Sequence, residues 1–172
     1  LERYIQAHPK FLYSLQPVPV DKGPRIVRLM AEASEKANVG PMAAVAGVLA
    51  DLAVEDMVLA GSEVAIIENG GEVSAISNQP IDIALSAGDS PLSRQIGFRL
   101  KEFPVGIATS SGLYRHALSF GEAEAVTIFA VNAGVADAAA TAIGNLIKGD
   151  NWHRAVERGI KEALRIDGVT GV

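Results

Sequence analysis

Apolar positions recur at helical spacing between Ile26 and Ala37, where Ile26, Val27, Met30, Ala33 and Ala37 fall near one face. Gly40-Pro41 then opens a second helix, because proline early in a helix gives up only a donor that has no partner there. That segment runs to about Leu59 and is apolar almost all round as far as Asp51, the pattern of a buried helix. Leu1 to His8 reads as the end of a helix stopped by Pro9, and Pro17 to Pro24 as extended or turn-like chain. The β-branched run Glu63 to Ile67 predicts a buried strand that feeds the turn Glu68-Asn69-Gly70-Gly71, with Val73 to Ser77 as its hairpin partner. Ile81 to Ser86 and Gln95 to Glu102 alternate as strands do. Val105 to Ala108 and Ala125 to Val131 complete the set. Two helices follow, alanine-rich Ala133 to Ile147 and then Trp152 to Leu164. Helices and strands mix with no regular βαβ alternation. That predicts an α+β fold, helices packed on mixed or antiparallel sheets, in one domain over residues 1–172.

Composition changes this picture in one respect. The chain has 172 residues, and 49% of them are hydrophobic, yet it holds only five Phe, three Tyr and one Trp against 17 glycines and 27 alanines. Its core must rely on small side chains, which let backbones approach closely. A chain of this length buries about two-thirds of its unfolded surface and needs no metal or disulfide to fold. The absence of cysteine removes disulfides, zinc–thiolate and iron–sulfur sites and thiol nucleophiles. A formal net charge of −5 argues against nucleic acid as a partner. No run approaches the roughly 20 apolar residues that span a bilayer, so no membrane partner is expected and the cytoplasm is the expected compartment. The chain begins at Leu1, which reads as the interior of a longer protein.

Four local patterns could carry chemistry. In Ala136-Asp137-Ala138-Ala139-Ala140-Thr141-Ala142, Asp137 and Thr141 lie four apart, so a helix stacks them on one face with only alanine between. A carboxylate and a hydroxyl so placed suit a hard cation such as Mg²⁺. The commoner explanation of the spacing is that Asp137 caps the helix and Thr141 bonds back to a carbonyl. Gly70-Gly71 permits positive φ and close approach to a ligand, or is simply a hairpin turn. Thr109-Ser110-Ser111-Gly112 follows a strand and could cradle a phosphate through backbone donors. Arg115 and His116 lie beside it; a polar surface loop is the plainer reading. Asn38 to Gly47 is a glycine-flanked helix start able to offer amide donors to an anion, although a glycine such as Gly47 inside a buried helix more often marks close packing. His8, His116 and His153 are too far apart in sequence to suggest a metal cluster, and neither a P-loop nor a Gly-x-Ser-x-Gly elbow is present.

Taken in order, Val39-Gly40-Pro41-Met42-Ala43-Ala44-Val45-Ala46-Gly47, Glu68-Asn69-Gly70-Gly71, Ala87-Gly88-Asp89-Ser90-Pro91-Leu92-Ser93, Thr109-Ser110-Ser111-Gly112 and Ala136-Asp137-Ala138-Ala139-Ala140-Thr141 resemble the ApbE-like superfamily of FAD:protein FMN transferases. The likeness is closer to a branch of archaeal and anaerobic-bacterial proteins, and it covers about Pro9 to Asn145. The resemblance implies an ApbE-like fold with Mg²⁺ held by Asp137 and Thr141. It also implies FAD or FMN beside Gly70, Gly71, Thr109, Ser110, Ser111 and Gly112, with His116 as candidate general acid or base. The transferases' Lys-Gly-Tyr-Ala-x-Asp helix falls on Ala46 to Asp51, where Gly47 and Asp51 agree but Ala46 and Val48 replace the lysine and tyrosine. Their Asp-Pro element after the histidine is replaced in His116-Ala117-Leu118-Ser119-Phe120-Gly121.

Two functions follow from this likeness. One is a Mg²⁺-dependent transferase or hydrolase acting on a flavin- or nucleotide-like phosphorylated ligand. The other is a non-catalytic binding or assembly partner, which the altered positions favour; the branch's link to anaerobic sulfur assimilation would make it a scaffold, since a chain without cysteine cannot carry a persulfide. The alanine- and glycine-rich helices would also allow packing across a two-fold axis as a homodimer.

Overall fold

The computed structural model describes residues 1–85, 93–111 and 121–172. Helices α1 (Glu2–Ala7), α2 (Pro9–Tyr13) and α3 (Arg25–Ala37) precede a 3₁₀ turn over Pro41–Ala44 and helix α4 (Val45–Leu59). Strands β1 (Val64–Asn69), β2 (Glu72–Ser77), β3 (Ile81–Ala84), β4 (Gly97–Leu100), β5 (Val105–Ser110) and β6 (Val126–Ala130) follow. Helix α5 (Ala133–Leu146), helix α6 (Trp152–Ala163) and strand β7 (Val169–Gly171) end the chain. The fold is α+β. Five strands form a sheet in the order β1-β2-β5-β6-β7, and β3 pairs with β4; every described ladder is antiparallel.

Strand alternation gives the large sheet two unlike faces. The register aligns Ile67 with Ser74, Ser74 with Gly106, Gly106 with Ala130 and Ala108 with Ile128, and this face carries α4 and α5. Helices α3 and α6 pack outside α5, so α5 lies between the sheet and a second helical layer. Nine of its residues are buried, most of them alanine or glycine. On the opposite face Phe129 meets Phe98 of β4 edge-on at 4.9 Å, which places the β3–β4 hairpin against that side.

The small residues set the distance between layers. A methyl group added at Gly106 would collide with the backbone of Asn132 and Ala133 at the start of α5, and one added at Gly47 with the carbonyl of Ala133. Close packing of this kind tolerates little added volume. Among the described residues no helix is long and apolar enough to cross a membrane.

Several elements differ from their sequence reading. Pro9 does not simply end a helix; it occupies the first turn of α2, where its missing donor costs nothing. The turn at Pro41 is 3₁₀ before α4 begins. Helix α4 is not covered all round, since Leu49 is 44% exposed. Strand β1 is an edge strand with Ile66 39% exposed, because only one of its faces meets α4. Of the antiparallel and mixed sheets that the sequence left open, the described ladders are the antiparallel kind, and Val169–Gly171 adds a strand too short to show periodicity. Ser86 lies outside the described residues.

Gly106→Ala is expected to lower the unfolding free energy by about 1–3 kcal/mol or more. Gly171→Ala, where the new methyl meets Phe129 at 3.6 Å, should stay within about 0.5 kcal/mol. Urea unfolding of both variants checks the contrast; equal effects would contradict a close-packed α5–sheet interface.

Candidate functional site

The first turns of α4 and α5 meet, and each is tied to a carboxylate of the other. The backbone N–H groups of Ala133 and Gly134 donate to Asp51 Oδ1 and Oδ2 at 2.9 and 2.8 Å. The N–H of Gly47 donates to Asp137 Oδ2 at 3.0 Å. Gly47 lies four residues before Asp51, and Ala133 and Gly134 lie four and three residues before Asp137, so one turn of α4 and one turn of α5 serve each other reciprocally. Helix starts leave amide donors without intrahelical partners and carry a positive partial charge, which is why a carboxylate belongs at each. Ser74 of β2 donates its hydroxyl to Asp51 Oδ1 at 2.7 Å. Asn132 caps α5 directly, accepting from Val135 N–H at 2.8 Å. Asp137 is therefore not the cap of its own helix, and the capping explanation of its spacing is replaced by a bond to the neighbouring helix.

Asp137 and Thr141 face a cleft of about 760 Å³. Segments distant in sequence converge there: Gly70 from the β1–β2 turn, Thr109, Ser110 and Ser111 from the end of β5, and Asp137 with Thr141 from α5. Glu72, buried at the start of β2, and Asn145 add oxygen-bearing groups. The remaining wall is apolar, built from Leu12, Leu15, Met42 and Val45 with Tyr13 at 77% exposure. Among the described lining residues there is no Lys, Arg or His, but there are two carboxylates. Among the described residues no group of three or more His, Asp or Glu converges. A cation at Asp137 would therefore fill its shell with hydroxyls, water and ligand oxygens, as Mg²⁺ characteristically does. A carboxylate has about four acceptor sites, so the bond from Gly47 is compatible with coordination.

The residues singled out in the sequence fall as follows. Gly70 and Gly71 form a two-residue turn closed by the pair Asn69 and Glu72, with φ of 73° and 111°. They are thus the hairpin turn, and Gly70 also lines the cleft, whereas Gly71 is not among its lining residues. Asn69 Nδ2 donates to the carbonyl of Ala46 at 3.1 Å and holds this turn against α4. The Thr109 hydroxyl shares a hydrogen bond of 3.0 Å with that of Thr127 across the β5–β6 ladder, so it serves the sheet. Gly112, Arg115 and His116 lie outside the described residues. Sequence reasoning passed over Asp51 and Glu72. Asp51 entered only as a position shared with the resembled helix, and Glu72 carried no motif of its own.

An α+β domain with an oxygen-lined cleft at the start of a small-residue helix is the class that fold and geometry define. The family model described as AbpE bacteria matches residues 1–169, and the chain belongs to that family. It is similar to a UPF0280 protein of Methanothermobacter thermautotrophicus, 47% identical over 161 residues that cover 93% of this chain and 63% of the relative. A UPF0280 protein of Methanococcus vannielii is 45% identical over 177 residues, covering 98% of this chain and 71% of the relative. One of Methanocaldococcus jannaschii is 43% identical, covering 100% and 71%. The chain thus spans 63% of the length of the first of these relatives and 71% of the other two.

Burial pushes the Asp51 carboxyl above its ordinary value of 3.8, with Glu55 adding to the rise, while the bonds from Ser74, Ala133 and Gly134 oppose it. The folded chain then holds this proton at pH values where the unfolded chain has lost it. The associated stability is complete below pH 3.8 and is lost as pH rises through the elevated value. Wild type should therefore lose stability relative to Asp51→Asn as pH is raised from below 3.8 toward neutrality. Denaturant unfolding across this range checks the sign, and a relative gain would contradict the dominance of burial.

Proposed function

We propose that this cleft binds a phosphorylated, flavin- or nucleotide-like ligand together with Mg²⁺, within one ApbE-like domain. The observation that carries the reading is the convergence of Gly70, Ser110–Ser111 and Asp137 with Thr141 on one cavity. The segments involved look like those that hold Mg²⁺ and flavin in the FAD:protein FMN transferases, and the AbpE bacteria match covers all of them.

The division of the cleft suits such a ligand. Asp137 and Thr141 offer a carboxylate and a hydroxyl one helical turn apart, donors of the hard type that Mg²⁺ prefers. When bound, Mg²⁺ supplies charge neutralisation and orientation of phosphate oxygens. The Gly47 N–H holds one oxygen of the Asp137 carboxylate and so limits its rotation. Ser110, Ser111 and the backbone at Gly70 provide hydrogen-bonding groups for the polar part of the ligand. Leu15, Met42, Val45 and Tyr13 provide an apolar surface for a flat ring. His116 completes the reading as general acid or base in a transferase or hydrolase step.

A second reading, ligand binding or partner assembly without turnover, is favoured by Ala46 and Val48 in place of the transferases' lysine and tyrosine and by the altered segment after His116. Calorimetry with FAD, FMN and Mg²⁺ on wild type and Asp137→Ala tests the proposal. Flavin binding to wild type that depends on Mg²⁺ and weakens about tenfold or more in Asp137→Ala supports it. Equal binding by both proteins, or by neither, overturns it. Analysis of the titrated flavin for cleavage or transfer products separates the two readings.

A further inference from the structure

Asp51 lies outside the cleft. It borders a separate cavity of about 240 Å³ between α3, α4 and the start of α5, together with Ser74, Asn132 and Gly134. Its carboxylate receives the two amides that begin α5 and the Ser74 hydroxyl. Asp137 follows Ala133 by one helical turn, about 6 Å along the axis, and Thr141 by two turns, about 12 Å.

We infer that Asp51 is a positioning residue for the cleft: by gripping the first turn of α5 it sets where Asp137 and Thr141 stand against Gly47, Gly70 and the end of β5. The inference rests on the metal reading of Asp137 proposed above. Three geometric facts carry it. Asp51 binds α5 through two successive amides, one to each carboxylate oxygen, so it restrains the helix in rotation as well as along its axis. Ser74 anchors the same carboxylate to the sheet, making the strand the reference against which α5 is placed. The bond from Gly47 to Asp137 closes the same helix pair on the cleft side and uses no atom of Asp51. Loss of the Asp51 grip therefore reaches the Asp137 carboxylate through α5 itself.

Two readouts test this on the whole chain: Mn²⁺ affinity, from the electron paramagnetic resonance signal of free Mn²⁺, and hydrogen exchange of the Gly47 amide by NMR. The proteins are wild type, Asp51→Asn, Ser74→Ala and Val54→Ala. The last shortens a buried α4 side chain outside the cleft and controls for lost stability. Asp51→Asn should weaken Mn²⁺ binding about tenfold or more and speed Gly47 exchange by a similar factor. Val54→Ala should leave both within about twofold. Ser74→Ala keeps the carboxylate and should show a smaller loss in both; it carries the test if Asp51→Asn does not fold. Unchanged Gly47 exchange in the folded variants, or an equal loss in Val54→Ala, overturns the inference. If wild type does not bind Mn²⁺ but Gly47 exchange accelerates in Asp51→Asn, the positioning role stands and the metal reading of Asp137 falls.

Discussion

The structure depends on the reciprocal contact between the first turns of α4 and α5. Two helix starts brought together bring unpartnered amides and positive partial charge together, an unfavourable arrangement unless something negative lies between them. Here Asp51 of α4 takes the amides of Ala133 and Gly134, and Asp137 of α5 takes that of Gly47. Burying carboxylates is costly. Three hydrogen bonds at Asp51, two of them from a helix start, offset that cost. The contact also demands room. Gly47 lies against the Ala133 carbonyl, Gly134 against Val48, and Gly106 of the sheet against Asn132 and Ala133. A side chain at these points would separate the elements whose amides and carboxylates must meet.

That constraint gives the cleft its shape. Helix α5 is held at its start by α4 and the sheet. Its next turns carry Asp137, Ala140 and Thr141 past the end of β5 and the β1–β2 turn. Between Asp137 and Thr141 this helix carries only alanine. Across the cleft, the α2 region and the start of α4 contribute apolar surface through Leu12, Leu15, Met42 and Val45. The cleft thus sets an apolar wall opposite a wall of oxygen-bearing groups. Among the described residues that line it, the charged side chains are the carboxylates of Glu72 and Asp137.

Much of this was legible in the sequence, for local reasons. Helix α5 announced itself through alanine propensity, the β1–β2 hairpin through its glycine turn, and the spacing of Asp137 and Thr141 through the helical repeat. The part that was not legible is long-range. The amides of Ala133 and Gly134 reach Asp51 across 82 and 83 residues, and Gly47 reaches Asp137 across 90. Nothing in either segment alone distinguishes an aspartate that caps its own helix from one that caps its neighbour. Glu72 escaped notice for the same reason, since its burial beside the cleft depends on sheet register rather than on adjacent residues. Leu49 of α4 and Ile66 of β1 are exposed despite their apolar surroundings in sequence, because apolar content predicts burial only where a second layer covers both faces, and β1 stands at an edge.

Under the proposed function, the paired helix starts present Asp137 and Thr141 as an oxygen site for a divalent cation. Crystals of the chain grown with Mn²⁺ and FMN test it most directly through anomalous difference density. A peak is expected within coordination distance of the Asp137 carboxylate and the Thr141 hydroxyl, with the Gly47 amide still bonded to Asp137 and ligand phosphate on the peak's cleft side. Mn²⁺ density elsewhere on the chain, with none beside Asp137 and Thr141, would contradict it.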